Sequence, residues 1–372
     1  MTKKQIKLKI KLPDTRGQEY DVLIGKDWLG SLLKLIKKQD ISNIVIVTDN
    51  NIEKLYANKL LHSLKGKLGA YNVRLIIFPA DEKNKNQNTV AKLQEEMFKY
   101  KCGRDTFVVS IGGGVVGDVA GYTAATYMRG IPYVQVPTTL LAMVDSSIGG
   151  KTGVNTKYGK NLVGSFYQPQ AVYVDVEFLK KLSQRHLING LVEAVKMFVT
   201  HDREMFQFVV NNYNKILDLD KKVLEKIIKR AIEINIEIIR QDEKENGERG
   251  LLNFGHTIGH AIEKLSGYKI LHGEAVALGI LVEAKVAELL GKLPHKAFVE
   301  IESFFCELVD IKKLKSYSIQ SILKETKLDK KVRAGEVKYV LVKNLGRVCR
   351  QGGKFVHTVD EKIVKQALTL LR

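Results

Sequence analysis

Short apolar runs rich in β-branched residues alternate with helix-period stretches from Ile6 to about Leu182. Residues 44–47 (IVIV) read as a buried strand, and Thr48-Asp49-Asn50-Asn51 reads as a turn into a helix. Residues 73–78 form the next strand and are followed by a helix near 89–100. Residues 107–111 and 133–136 repeat the strand pattern. Strands separated by helices argue for a parallel sheet with helices on its faces. Such sheets bind ligands at the carboxyl ends of their strands. The opening MTKKQIKLKIKLP alternates Lys with Ile or Leu, as an edge strand does and a signal peptide does not. From Ser183 the period is helical, most clearly over 223–239 and 274–290. After Lys331, VRAGEVKYVLVKNLGRVC reads as a hairpin or strand pair, and a last helix starts at Asp360. The expectation is an α/β domain over residues 1–182 and a mainly α-helical domain over 183–372, a division that suits a length of 372 residues.

Composition narrows the function classes. The chain is 45% hydrophobic and 27% charged, as a globular protein is, with no apolar run long enough to span a bilayer. Its net charge is +19, but the basic residues are spread through amphipathic stretches such as 34–38 and 221–230. A nucleic-acid binder would gather them in a stripe with interleaved aromatics. Solvated helix faces and a small anionic substrate account for the charge, with no nucleic-acid or membrane partner expected. Cys102, Cys306 and Cys349 are too few and too scattered for a disulfide framework or a metal knuckle, so a reducing cytoplasm is the expected setting.

Candidate chemistry gathers in a few places. Three of the eight histidines lie in LLNFGHTIGHAIEKLSGYKILHGE, residues 251–274. His256 and His260 are four apart, share a helix face and could converge on one ion or one substrate. His272 follows a turn at Gly267 and opens another helix. Gly112-Gly113-Gly114-Val115-Val116-Gly117-Asp118 sits between a strand and the helix-like VAGYTAATY, where a backbone can approach a pyrophosphate. No acid stands about 20 residues on to grip a ribose, which favours a nucleotide held differently from a standard Rossmann site. Arg129, Thr138-Thr139, Asp145, Gly150-Lys151-Thr152 and Lys160-Asn161 follow. Asp145 occupies the place of the first Gly of a P-loop, so the run is not one. Its cations and amides suit a phosphate and oriented hydroxyls.

GGGVVGD, RG, PTTLLAMVDSSIGGKTGVN, GKN, GLVEAVK, LNFGHTIGHAIE and HGEAVALG, in this order, resemble the 3-dehydroquinate synthase family of sugar-phosphate cyclases, from about Asp49 to Lys331. The resemblance implies an α/β nucleotide-binding N-terminal domain, an all-α C-terminal domain and a homodimer. It implies NAD and one divalent metal, zinc with cobalt as the alternative. The reaction implied converts 3-deoxy-D-arabino-heptulosonate 7-phosphate into 3-dehydroquinate and phosphate.

Carried over by position, the metal ligands are Glu193, His256 and His272, which leaves His260 as a proton carrier facing the substrate. The NAD positions are Asp49, Asn51, Glu82, Lys85, Gly113, Gly114, Val115, Val116, Gly117, Asp118, Thr138, Thr139, Lys151, Lys160, Phe178, Leu179, Lys180 and Lys181. Asp145, Lys151, Asn161, Lys196, Arg249, Asn253 and His260 fall at substrate positions. Arg129 falls at the neighbouring subunit's site, and Lys330 or Lys331 at the phosphate. Arg249 offers a bidentate grip on a carboxylate. Three positions depart from the family: Asn235 replaces a substrate-contacting Lys, Lys181 a Thr and Asp81 a Gly. The alternatives are a cyclase forming an aminodehydroquinate or cyclitol precursor, and a metal-dependent polyol dehydrogenase of related fold.

Overall fold

Asn43–Asp49 buries six residues in a row, as a strand covered on both faces must. This strand, β3, belongs to a computed structural model that describes residues 6–11, 19–242, 248–328, 336–350 and 355–372. The chain divides into two units, Met1–Leu182 and Ser183–Arg372.

In the first unit β1 (Ile6–Lys11), β2 (Glu19–Ile24), β3, β4 (Asn72–Phe78), β5 (Thr106–Gly112) and β6 (Tyr133–Pro137) belong to one sheet. A separate pair, β7 (Lys151–Thr156) and β8 (Gly159–Phe166), precedes β9 (Ala171–Val174), the seventh strand of that sheet. Its order is β1-β2-β9-β6-β5-β3-β4. The pairings are parallel except β1 with β2, so the expected parallel sheet carries one antiparallel edge. Helices α1 (Trp28–Ile36), α2 (Asn50–Ile52), α3 (Asn58–Lys67), α4 (Gln87–Lys99) and α5 (Gly114–Thr126) connect the strands. From β3 the chain steps outward to β4 and then returns to the other side of β3 as β5. That reversal is a topological switch point, where a crevice opens at the strand ends.

Three local features differ from the pattern reading. Thr48 and Asp49 stay in β3, and Asn50 opens the helix directly. Asp49 Oδ1 makes this possible by accepting from the backbone N–H of Asn51 at 2.8 Å and of Ile52 at 2.9 Å, which caps the helix start. Helix α5 begins at Gly114, so Val115 to Asp118 are already helical. The glycine-rich run around Lys151, for which the pattern predicts no element, is a hairpin. A Cβ on Gly164 would lie 2.1 Å from the Thr152 carbonyl oxygen, and one on Gly153 would lie 2.7 Å from that of Val163. These glycines serve close strand contact.

The second unit contains α6 (Gln184–His201), α7 (Arg203–Asn211), α8 (Tyr213–Leu217), α9 (Lys221–Gln241), α10 (His256–Leu265) and α11 (His272–Leu289). It continues with α12 (His295–Leu308), α13 (Ile319–Lys327), four short strands and α14 (Glu361–Leu370). The strands are β10 (Lys338–Val340), β11 (Val342–Asn344), β12 (Arg347–Val348) and β13 (Val356–Thr358), paired β10 with β13 and β11 with β12. The unit is therefore largely helical, not all-α.

Helix α11 is buried continuously from Gly273 to Ala284, as a helix apolar on all sides must be. Helix α10 lies almost backbone to backbone against it. Gly255, at φ +78°, leads into α10 in the left-handed region, and a Cβ on Gly279 would sit 1.9 Å from the Gly255 carbonyl oxygen. A Cβ on Gly259 would be 3.0 Å from the Ala275 carbonyl oxygen. Gly279→Ala must therefore force the helices apart, at a cost of about 3 kcal/mol or more. Calorimetry should show a clearly lowered unfolding midpoint; an unchanged midpoint would mean that the close approach is not required.

A candidate metal centre and a nucleotide cradle

Glu193 and Lys196, nearly one turn apart on α6, are both buried, and Lys196 Nζ donates to Glu193 Oε2 at 2.5 Å. Burial of either charge alone would be strongly unfavourable. Glu193 Oε1 accepts no hydrogen bond. It faces His256 Nε2 at 3.8 Å and His272 Nε2 at 3.6 Å. Helices α10 and α11 run antiparallel, with Gly255 against Gly279 and Gly259 against Ala275, and the rings of their first residues, His256 and His272, lie 5.2 Å apart. Their other nitrogens have acceptors. His256 Nδ1 is 3.2 Å from the Phe254 carbonyl oxygen, and His272 Nδ1 is 3.3 Å from Glu263 Oε2. Acceptors at Nδ1 select the Nδ1–H tautomer and turn the Nε2 lone pairs toward Glu193.

The three facing atoms lie within 4.8 Å of one another. Tetrahedral zinc, with bonds of about 2.0–2.2 Å, keeps its ligand atoms roughly 3.4 Å apart. The uncommitted buried oxygen and the two imidazole nitrogens fit such an ion with little adjustment. His260 lies one turn beyond His256, with its ring 5.3 Å from that of His256 and 6.0 Å from that of His272. It stands beside the trio and does not join it.

Helix α6 sets the third side through three residues spaced by four. Arg185 makes a bidentate contact with Glu274, at 2.8 and 3.0 Å. Asn189 Oδ1 accepts the Gly273 N–H at 2.6 Å. Glu193 faces His272. Each turn of α6 thus grips the first turn of α11, and Gly273 is needed because its Cβ would lie 2.1 Å from the Asn189 carbonyl oxygen. Burial pushes the Glu274 carboxyl up, but Arg185, the Leu271 amide and Lys313 outweigh it and hold the group below its ordinary value. Sequence reasoning passed over Arg185, Asn189 and Glu263. The signal for Asn189 was its place one turn before Glu193; Glu263 beside Lys264 looks like a surface pair.

Other expected substrate residues are scattered through both units. Asn253 is half-buried at the end of the short turn Glu248–Asn253. Arg249 lies in that turn, its side chain outside the described residues, as are Lys330 and Lys331. Asn235 is buried on α9. In the first unit Asp145 is half-buried in the π-turn Ala142–Ser146, and Lys151 is exposed at the start of β7. Arg129 is exposed with a φ of +70°, directly after Met128 at +49°.

The expected nucleotide residues meet at the switch point of the first sheet. Asp49 ends β3, and Gly113 and Gly114 join β5 to the N-terminus of α5, whose amides there can receive an anion. A Cβ on Gly114 would lie 2.9 Å from Ser146 Oγ. Thr138, next to Thr139 after β6, donates its N–H to the Gly112 carbonyl and keeps a buried hydroxyl without a partner. Buried Lys85 bonds the Asp118 carboxylate, and Asn161 Oδ1 at 2.6 Å. Burial pushes the Asp118 carboxyl up, opposed by the Lys85 ammonium. Glu82 Oε1 accepts from Asn155 at 2.8 Å and lies 3.5 Å from Lys160 Nζ. Asn51 is exposed beside Asp49. Within 178–181, Phe178 and Leu179 are core: the Phe178 ring packs 4.8 Å from Tyr56 and 5.9 Å from Trp28. Lys180 and Lys181 are exposed. The glycine start, the orphan Thr138 hydroxyl and the nearby acids fit a dinucleotide.

Residues 75–189 match the family described as 3-dehydroquinate synthase N-terminal, and residues 190–332 match 3-dehydroquinate synthase C-terminal. A 3-dehydroquinate synthase of Thermoanaerobacter pseudethanolicus is 42% identical over 336 residues, covering 90% of this chain and 94% of its own. The solved structure of 2-deoxy-scyllo-inosose synthase complexed with carbaglucose-6-phosphate, NAD+ and Co2+ aligns at a TM-score of 0.85 and 26% identity, over 98% of this chain and 99% of its own. That of 2-epi-5-epi-valiolone synthase from Streptomyces hygroscopicus subsp. jinggangensis, with NAD+ and Zn2+ bound, aligns at 0.86 and 26%, over 97% and 99%.

Two outcomes follow from the geometry. Glu193→Gln should weaken zinc binding by more than about 100-fold, beyond the usual effect of an outer contact, in competition with a chromophoric chelator; unchanged affinity would put the ion elsewhere. The second concerns pH. Because the folded Glu274 value is depressed, its contribution is present above the ordinary glutamate value and lost as pH falls through the folded one. Arg185→Met should therefore lower the thermal midpoint at neutral pH, and the gap from the parent should close below about pH 4. A gap independent of pH would contradict the assignment.

Proposed function

The chain belongs to the 3-dehydroquinate synthase family, and from that premise we propose that Glu193, His256 and His272 hold the divalent metal of its reaction. The reaction converts 3-deoxy-D-arabino-heptulosonate 7-phosphate into 3-dehydroquinate and phosphate, by an NAD- and metal-dependent carbon–oxygen lyase. One observation carries the metal assignment: the buried Glu193 Oε1, without a hydrogen bond, faces two imidazole nitrogens oriented by their own acceptors. A carboxylate and two imidazoles without a thiolate favour zinc, and cobalt can substitute.

Bound NAD would supply a reversible hydride acceptor, and a metal held by Glu193, His256 and His272 would supply a Lewis acid for a substrate oxygen. The protein's part is to bind, orient and move protons. Lys196, anchored on Glu193, can donate to a substrate oxygen beside the ligands. His260, next to both ligand rings, is the proton carrier at the substrate hydroxyl. Arg249 grips the carboxylate, with Asn253 beside it, as a guanidinium can and an ammonium cannot. Asp145, Lys151 and Asn161 orient hydroxyls, and Lys330 or Lys331 meets the phosphate. Asp49 and Glu82 take ribose hydroxyls, with Asn51 and Lys85 nearby. The amides at the start of α5, with Thr138, Thr139 and Lys160, receive the pyrophosphate.

A homodimer belongs to this reading, with Arg129 serving the neighbouring copy. Leu162 and Phe166 are exposed on one face of β8, and Val163 on the other, apolar positions that a second copy would cover. We also read the protein as cytoplasmic: its three cysteines are unpaired, and among the described residues no helix is long and apolar enough to cross a membrane.

Purified protein given the heptulosonate phosphate, NAD and zinc should release phosphate in step with dehydroquinate and accumulate no net NADH. Accumulating NADH without phosphate would identify a polyol dehydrogenase. Turnover of a neutral sugar phosphate in place of this acid would identify another cyclase.

A further inference from the structure

The two ligand imidazoles are oriented by unlike partners. His256 is met at Nδ1 by a neutral backbone carbonyl, that of Phe254, and His272 by the carboxylate of Glu263. Glu263 is buried on α10, where an acid is costly unless it is paired. It stands seven residues, close to two full turns, beyond His256, so both project from one face of α10. Its own carbonyl accepts from Ser266 Oγ at 2.7 Å and from the Tyr268 N–H at 3.0 Å, which pins the end of the helix on which it stands.

We propose that Glu263 is a positioning residue for the metal. Its carboxylate accepts the Nδ1–H of His272 and so sets the tautomer and ring rotation that aim Nε2 at the ion. Helix α10 then supplies one ligand and orients the ligand of the neighbouring helix, tying the site together from both sides. The negative charge also makes His272 a stronger donor than His256, whose orienting group is neutral. This inference rests on the reading of Glu193, His256 and His272 as the metal's ligands.

The test uses the full chain stripped of metal and reloaded. Glu263→Gln keeps an acceptor but loses the charge; Glu263→Met removes both. Zinc affinity should fall by about 10-fold and about 100-fold respectively, the range found for outer contacts of metal-bound histidine. The visible absorption of the cobalt-loaded variants should change as well, which a packing role for Glu263 would not cause. Parent-like zinc affinity and cobalt spectra in both variants would overturn the proposal. Glu193→Gln is the reference: if it too retains zinc, the site itself is misread, whereas if it alone loses zinc only the role of Glu263 fails. Should the variants not fold, imidazole 15N shifts of the zinc-loaded parent decide. A protonated Nδ1 on His272 supports the proposal, and a metal-bound Nδ1 overturns it.

Discussion

The backbone contact between α10 and α11 is the constraint on which the metal centre depends. Gly255 and Gly279 leave no room for a Cβ between the helices. The contact fixes the two antiparallel helices against each other, and the His256 and His272 rings lie 5.2 Å apart. Helix α6 is then held against the start of α11 by Arg185, Asn189 and Glu193, one residue per turn. The arrangement encloses a carboxylate with one oxygen bonded to Lys196 and the other left to face the imidazoles. The Lys196 ammonium offsets the burial of the charge, and the unbonded Oε1 is the atom left to meet a further ligand.

The first unit reaches its site by another route. The residues proposed for the nucleotide are brought together by strand order, at the reversal between β3 and β5, beside the backbone amides at the start of α5. Glycine matters in both units for different reasons. At Gly113 and Gly114 it makes room for the Thr139 and Ser146 side chains; at Gly153, Gly164, Gly255 and Gly279 it lets protein backbone approach protein backbone.

Much of the fold was legible because burial on both faces of a strand leaves an unbroken apolar run, as at residues 44–47 and 107–109, and a 3.6-residue period marks α9. The β7–β8 hairpin was not, because glycines that permit strand contact look like loop glycines in a sequence. The strand pair expected after Lys331 is present as β11 and β12, because even short Val-containing segments between turn signals mark strands. At the site, spacing within one helix suggested pairing His256 with His260, while the ion needs atoms that converge across helices. His272 stood out with the other clustered histidines, but its role as a ligand, and Glu193 altogether, entered only through the family resemblance. Glu263 lay beyond either route, since it acts on a partner in another helix; Asn189 was signalled only by its place one turn before Glu193.

The central claim is that one ion sits among Glu193, His256 and His272. Anomalous diffraction from zinc-loaded crystals tests it most directly. The account predicts one peak at bonding distance, about 2.0–2.2 Å, from Glu193 Oε1 and from Nε2 of both His256 and His272. A peak bonded to His260 in place of His272, or none within reach of Glu193, would contradict it.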